Sequence, residues 1–186
     1  MNGQIARGQF LNPWRVAGWG FAALLLSVPA IAMRFTSEVV WTPLDFMVMG
    51  AMIGAVGLGL ELAIRASRNN LYRAGAALAL LAGFLTTWSN LAVGIIGDGS
   101  NPANLLFFGV VALAIIGSVA ARSRPTVMAR TMMAAGLAQL AVPLVAMIAW
   151  RPELTPEFGL SVAINSVFAG MWLLSAGLFS RARTGA

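Results

Sequence analysis

The stretch Asn90-Leu-Ala-Val-Gly-Ile-Ile-Gly-Asp-Gly-Ser-Asn-Pro-Ala-Asn-Leu105 holds three glycines, three asparagines and the only acidic residue between Glu61 and Glu153. Four readings compete for it: an ion filter, a phosphate loop, a metal loop, or the corner between two membrane-spanning helices. The choice decides the fold, because only the corner reading leaves a complete span on either side.

The run Val93-Gly-Ile-Ile-Gly-Asp98 is close to the V-G-Y-G-D end of a potassium filter, with one extra residue. A filter sits on a re-entrant loop, whereas these glycines end an apolar run of about 23 residues, about 34 Å of helix and enough to cross a bilayer. A phosphate loop needs Lys-Ser/Thr after its glycines, and the chain has no lysine. A calcium loop needs several acids at alternate positions; here Asp98 is alone. The corner accommodates every residue. Gly97 and Gly99 permit left-handed turn geometry, Asp98 favours a turn, and Asn101-Pro102 opens the next helix. Asp98, Asn101 and Asn104 are therefore assigned to the outer corner and its caps.

Composition supports a membrane environment. Of 186 residues, 59% are apolar and 10% charged, against about 25% charged in a soluble domain. All twelve basic residues are arginine, and lysine, histidine and cysteine are absent. That removes Schiff-base lysines, haem, zinc and iron–sulfur ligation, and Ser–His or Cys–His nucleophiles. No catalytic residue, metal ligand or cofactor-binding residue is assigned. The net charge of +6 comes in small groups between apolar runs, not as the basic face that nucleic-acid binding requires.

Six runs are long enough to span a bilayer, near 14–33, 43–64, 73–96, 102–121, 127–150 and 157–180. The expected fold is all-α: a single six-helix transmembrane bundle over residues 1–186. Arginine placement sets its orientation. Arg7 and Arg15, Arg65, Arg68 and Arg73, Arg122, Arg124 and Arg130, and Arg181 and Arg183 fall on one side, against Arg34 and Arg151 on the other. The positive-inside rule then places both termini in the cytoplasm. One alternative is that Arg7 to Ala32 is a signal peptide with an A-x-A site, which would leave five helices. Asn12-Pro13, Thr42-Pro43, Asn101-Pro102 and Thr155-Pro156 each put a cap residue before a helix-initiating proline. Thr42-Pro-Leu-Asp45 also has capping-box spacing, which assigns Asp45 to a helix start.

Polar groups within the spans need a partner or a purpose. Gly75, Ala79, Gly83, Thr86, Asn90, Gly94 and Gly97 recur at helical spacing along the third span, as do Gly50, Gly54, Gly57 and Glu61 on the second. Such stripes let helices approach closely; Gly50, Gly54, Gly57, Gly83 and Gly94 are the candidate packing glycines. Thr86, Asn90, Gln139 and Asn165 form a candidate intramembrane polar cluster. Gln139 precedes Pro143 by four residues, so the proline frees its carbonyl. Asn90 is expected to bond to a neighbouring helix rather than face a cavity. Glu61 and Arg65 have the acid-first i,i+4 order of a helical ion pair and are assigned to the inner end of the second span.

The motifs Trp41-Thr-Pro-Leu-Asp45-Phe46, Gly57-Leu-Gly-Leu-Glu61-Leu62, Asn90-Leu-Ala-Val-Gly-Ile-Ile-Gly97 and Asn101-Pro-Ala-Asn104 resemble those of a family of small polytopic bacterial inner-membrane proteins of unknown function. The likeness runs from about Arg34 to Gln139. It implies a bacterial inner-membrane location and no particular activity. In that family the loop after Gly97 is more acidic, and the single Asp98 here weakens any cation-binding role. The expected function is a non-catalytic accessory or scaffold subunit, packing through Gly-rich faces against another membrane protein or a copy of itself, with lipid as its solvent. The alternative is a facilitator for a small neutral solute, and the third reading a lipid-acting membrane enzyme.

Overall fold

The computed structural model describes residues 13–97, 99–150 and 155–182. Among them are six α-helices and one 3-10 turn: α1 (Pro13–Ala32), α2 (Pro43–Ala66), α3 (Asn70–Ala92), the turn Pro102–Asn104, α4 (Leu105–Ala121), α5 (Pro125–Ala149) and α6 (Pro156–Ala182). No strand occurs among the described residues. Five helical segments are long and apolar enough to cross a membrane: Pro43–Ala66, Asn70–Ala92, Pro102–Ala121, Pro125–Ala149 and Pro156–Ala182. The first helix carries a shorter apolar run, Val16–Ala32. Prolines open most of these segments, where their missing N–H would have had no helical partner.

The chain divides into two compact units, Met1–Leu58 and Gly59–Ala186. In the first, α1 and α2 meet through side chains. The Trp19 ring lies over Gly57, 3.0 Å from where a Cβ would stand, and Leu26 lies against Gly50 at 3.6 Å. Thr42 and Asp45 open α2 reciprocally. The Thr42 amide and hydroxyl both donate to Asp45 Oδ2, at 2.7 and 2.8 Å, and the Asp45 amide donates to Thr42 Oγ1 at 3.3 Å.

In the second unit α3, α4, α5 and α6 form a ring of antiparallel neighbours: α6 packs on α3 and α5, and α4 packs on α5 and α3. Its buried surface is rich in alanine, including Ala82, Ala103, Ala121, Ala135, Ala146 and Ala169, each 0% exposed. Such small residues let helix backbones come close. Phe107, Phe179, Trp172 and Met132 fill the larger gaps, and the Tyr72 and Phe179 rings meet edge to face at 5.0 Å. The outer surface carries the bulk: Ile116, Val119, Leu137, Ile148 and Leu174 are all exposed. Polar groups inside and branched aliphatics outside is the distribution that a lipid solvent selects.

The closest approaches are made by glycines that do not fall in the expected stripes. A Cβ at Gly59 would lie 2.6 Å from Leu80, one at Gly136 would lie 2.7 Å from Leu173, and one at Gly117 would collide with the Thr131 methyl. By contrast Gly54 has nothing within 4 Å, and Gly83 meets only the Trp172 ring at an ordinary 3.5 Å.

Candidate functional site

The third helix ends four residues earlier than its apolar run suggests. It stops at Ala92, and Gly94 (φ 77°) and Gly97 (φ 65°) turn the chain so that Ile95 and Ile96 fold inward and are buried. Gly94 is therefore part of the corner, not of the helix-packing stripe to which its spacing assigned it. What replaces the lost helical hydrogen bonds is one side chain, Asn104. Its Oδ1 accepts from the amides of Ile95 and Ile96, both at 3.0 Å, and its Nδ2 donates to the Ile96 carbonyl at 3.1 Å. Although Asn104 stands at the start of α4, its side chain makes no capping bond to that helix; it bonds back across the corner instead. Asn101 caps the turn, its Oδ1 accepting from the Ala103 amide at 3.0 Å. Asp98 lies outside the described residues.

Asn90 completes this corner. Its Nδ2 donates to the Asn104 carbonyl at 2.8 Å, so its bond goes to the turn that leads into the next helix. The Asn90 Oδ1 has no partner among protein groups.

Deeper in the bundle Gln139 and Asn165 form a reciprocal pair between α5 and α6. The Gln139 Nε2 donates to Asn165 Oδ1, and the Asn165 Nδ2 donates to the Gln139 carbonyl, both at 3.0 Å. The second bond takes up the carbonyl that Pro143 cannot serve, because proline has no N–H. Thr86 is 1% exposed, and its hydroxyl has no protein partner; the same holds for Gln139 Oε1 and the Trp172 indole nitrogen. The four residues predicted as one cluster thus divide into the Asn90 corner, the Gln139–Asn165 pair and the buried Thr86 hydroxyl.

Glu61 and Arg65 meet at 3.3 Å on the last turns of α2, with the Arg65 side chain 68% exposed. An exposed pair of this kind contributes little to stability. Neighbouring residues missed by spacing alone tie down the same end of the second unit. Arg73 donates to the carbonyls of Ser67 (2.8 Å) and Ile64 (3.2 Å). Asn69 caps α3, its Oδ1 accepting from Leu71 and Tyr72, and its Nδ2 donates to the Ala182 carbonyl at 3.1 Å. The pair Asn69-Asn70 before an apolar run is a readable helix-start signal; the Arg73 bonds have no sequence signature.

Chemically the interior is neutral. The buried polar side chains among the described residues are Thr86, Asn90, Asn104, Gln139, Asn165 and Ser175, a set that can donate and accept hydrogen bonds but carries no carboxylate or guanidinium. Asp45 is engaged in its helix cap and Glu61 in its ion pair. No group of three or more acid, His or Cys side chains fit for a metal occurs among the described residues.

The architecture is that of a polytopic helical membrane protein, with several helices long and apolar enough to span. No family model, curated protein or solved structure matches the chain.

Proposed function

We propose that the chain is a six-span protein of the bacterial inner membrane with both termini cytoplasmic, acting as a non-catalytic accessory or scaffold subunit. It packs through small-residue helix faces against another membrane protein or a second copy of itself. The observation that carries this reading is an open face on α6. Gly159, Gly170 and Gly177 have nothing within 4 Å of a Cβ, and at spacings of eleven and seven they lie on one side of the helix. Ala163 and Ser166 are exposed between them. Faces of this kind bring membrane helices into backbone contact.

A solute facilitator would need Thr86, Asn90, Gln139 and Asn165 to line a path to the outer surface. These side chains are buried, and the three amides are bonded within the chain, which favours packing over transport. Arginine asymmetry between alternate connections supports the orientation, and the family resemblance supports the location.

The cysteine-free sequence makes the test direct. Gly170→Cys, labelled with a photoactivatable benzophenone maleimide in native membranes, is expected to cross-link on irradiation to a second copy or a membrane partner, while Ile116→Cys on the exposed side of α4, labelled in the same way, does not. A lone monomer under several mild detergents, together with no Gly170→Cys adduct, would sink the proposal. For topology, a membrane-impermeant maleimide should label Thr36→Cys in intact spheroplasts and spare Ser67→Cys.

A further inference from the structure

Among the described residues, four buried polar atoms have no hydrogen-bond partner: Thr86 Oγ1, Asn90 Oδ1, Gln139 Oε1 and Trp172 Nε1. Buried polar groups left unpaired are uncommon, and each calls for a physical account. These four residues are 0–6% exposed.

Their positions along the bundle follow from contacts between helices. The Asn69 amide bonds to the Ala182 carbonyl and the Ser175 hydroxyl donates to the Gly75 carbonyl at 2.7 Å, so α3 and α6 run antiparallel. Counting from these bonds at about 1.5 Å per residue brings Thr86 level with Asn165, to within about one turn. Gln139 is held at the same level by its two bonds to Asn165. Helical side chains lean toward their own N-terminus, which carries the Trp172 indole to Gly83, one turn from Thr86. Asn90 stands one turn beyond Thr86 on the same face of α3. The four atoms therefore fall within about two to three turns of the bundle interior, roughly 10–15 Å.

We infer that bound water occupies this stretch and bridges Thr86, Asn90, Gln139 and Trp172. The set comprises one N–H donor, two carbonyl acceptors and one hydroxyl that does both, which is completed by a small molecule able to donate and accept. No carboxylate or guanidinium is buried among the described residues, so the occupant is neutral. A buried water makes about three hydrogen bonds to otherwise unpaired groups, each about 2.8 Å long, so atoms spread over this distance are served by a short chain of waters. On this reading the polar stripe of α3 is an internal hydration site, and the inference does not depend on the scaffold function.

The test is a water-selective rotating-frame Overhauser experiment on the full, isotope-labelled chain in lipid nanodiscs, with Trp172→Phe used to assign the indole proton. The expected result is a cross-peak from water to the Trp172 indole, of dipolar rather than exchange sign. Absence of that peak in the unmodified chain overturns the inference. So does a peak of exchange sign, or cross-peaks only to carbon-bound protons of a co-purifying molecule.

Discussion

Asn165 supplies Gln139 with the hydrogen bond that Pro143 denies it: the Asn165 Nδ2 lies 3.0 Å from the Gln139 carbonyl, the group whose helical partner would have been the amide of residue 143. The reciprocal bond from Gln139 Nε2 to Asn165 Oδ1 makes the pair both a repair of α5 and a clasp to α6. Asn165→Ala removes both bonds and leaves the carbonyl unpaired. Interhelical bonds in membranes contribute about 0.6 kcal/mol on average and up to roughly 1.7, so a loss of about 1–2 kcal/mol is expected. In a Pro143→Ala background residue 143 regains its N–H, and Asn165→Ala should cost less. Unfolding of the four chains in mixed detergent micelles measures this coupling; equal costs in both backgrounds would show that the proline and the amide are independent.

The corner gives a second prediction. Asn104 makes three side-chain bonds to Ile95 and Ile96, and nothing in the regular structure replaces them. Asn104→Leu, close in size, leaves two amides and a carbonyl unpaired in a buried turn, at about 1–3 kcal/mol for each group that water does not reach. The corner should open. Hydrogen exchange at the Ile95 and Ile96 amides is the readout, with protection lost there and kept at mid-α5. Unchanged protection at both amides would remove Asn104 from this role.

Glycine substitutions separate close packing from mere spacing. At Gly136 an added Cβ would meet Leu173 at 2.7 and 2.8 Å and the Ala169 carbonyl at 3.3 Å, so part of the obstacle is backbone. Gly136→Ala is expected to destabilise by about 1–3 kcal/mol, the usual range for overpacking. Gly54→Ala meets nothing within 4 Å and gains about 1 kcal/mol of helix propensity. Thermal denaturation of the two purified variants should move in opposite directions, and a shared direction would contradict the packing described.

How far the fold is legible in the sequence depends on whether the cause is local. Apolar run length and proline placement are local, and five of the six expected spans and the starts at Pro43, Pro102 and Pro156 could be read directly. The orphaned carbonyl of Gln139 was legible for the same reason, being a consequence of covalent structure four residues on. Its partner was not, because the register of α6 against α5 is a property of tertiary packing. The apolar run through Ile95 and Ile96 puts the end of α3 at residue 96; it lies at Ala92 because a side chain from Asn104 bonds the backbone of a non-helical corner. The tight glycines Gly59, Gly117 and Gly136 were missed because what marks them is a facing side chain, which spacing within one helix does not record.

The last prediction concerns the turn between α4 and α5, where two consecutive residues with Cβ atoms hold positive φ: Arg122 at 45° and Ser123 at 63°. The left-handed region costs a residue with a Cβ about 1–2 kcal/mol, and glycine escapes that cost while adding some freedom to the unfolded chain. Ser123→Gly should therefore stabilise the chain by about 0.5–1 kcal/mol. Ser123→Val, β-branched and poorly suited to this region, should destabilise it. Because Ser123 lies in an exposed connection and neither change removes a charge, the positive-inside balance is untouched and the two variants isolate backbone strain. Unfolding midpoints in the order glycine, serine, valine are the expected result, and the reverse order would mean that the turn does not hold this conformation in the membrane.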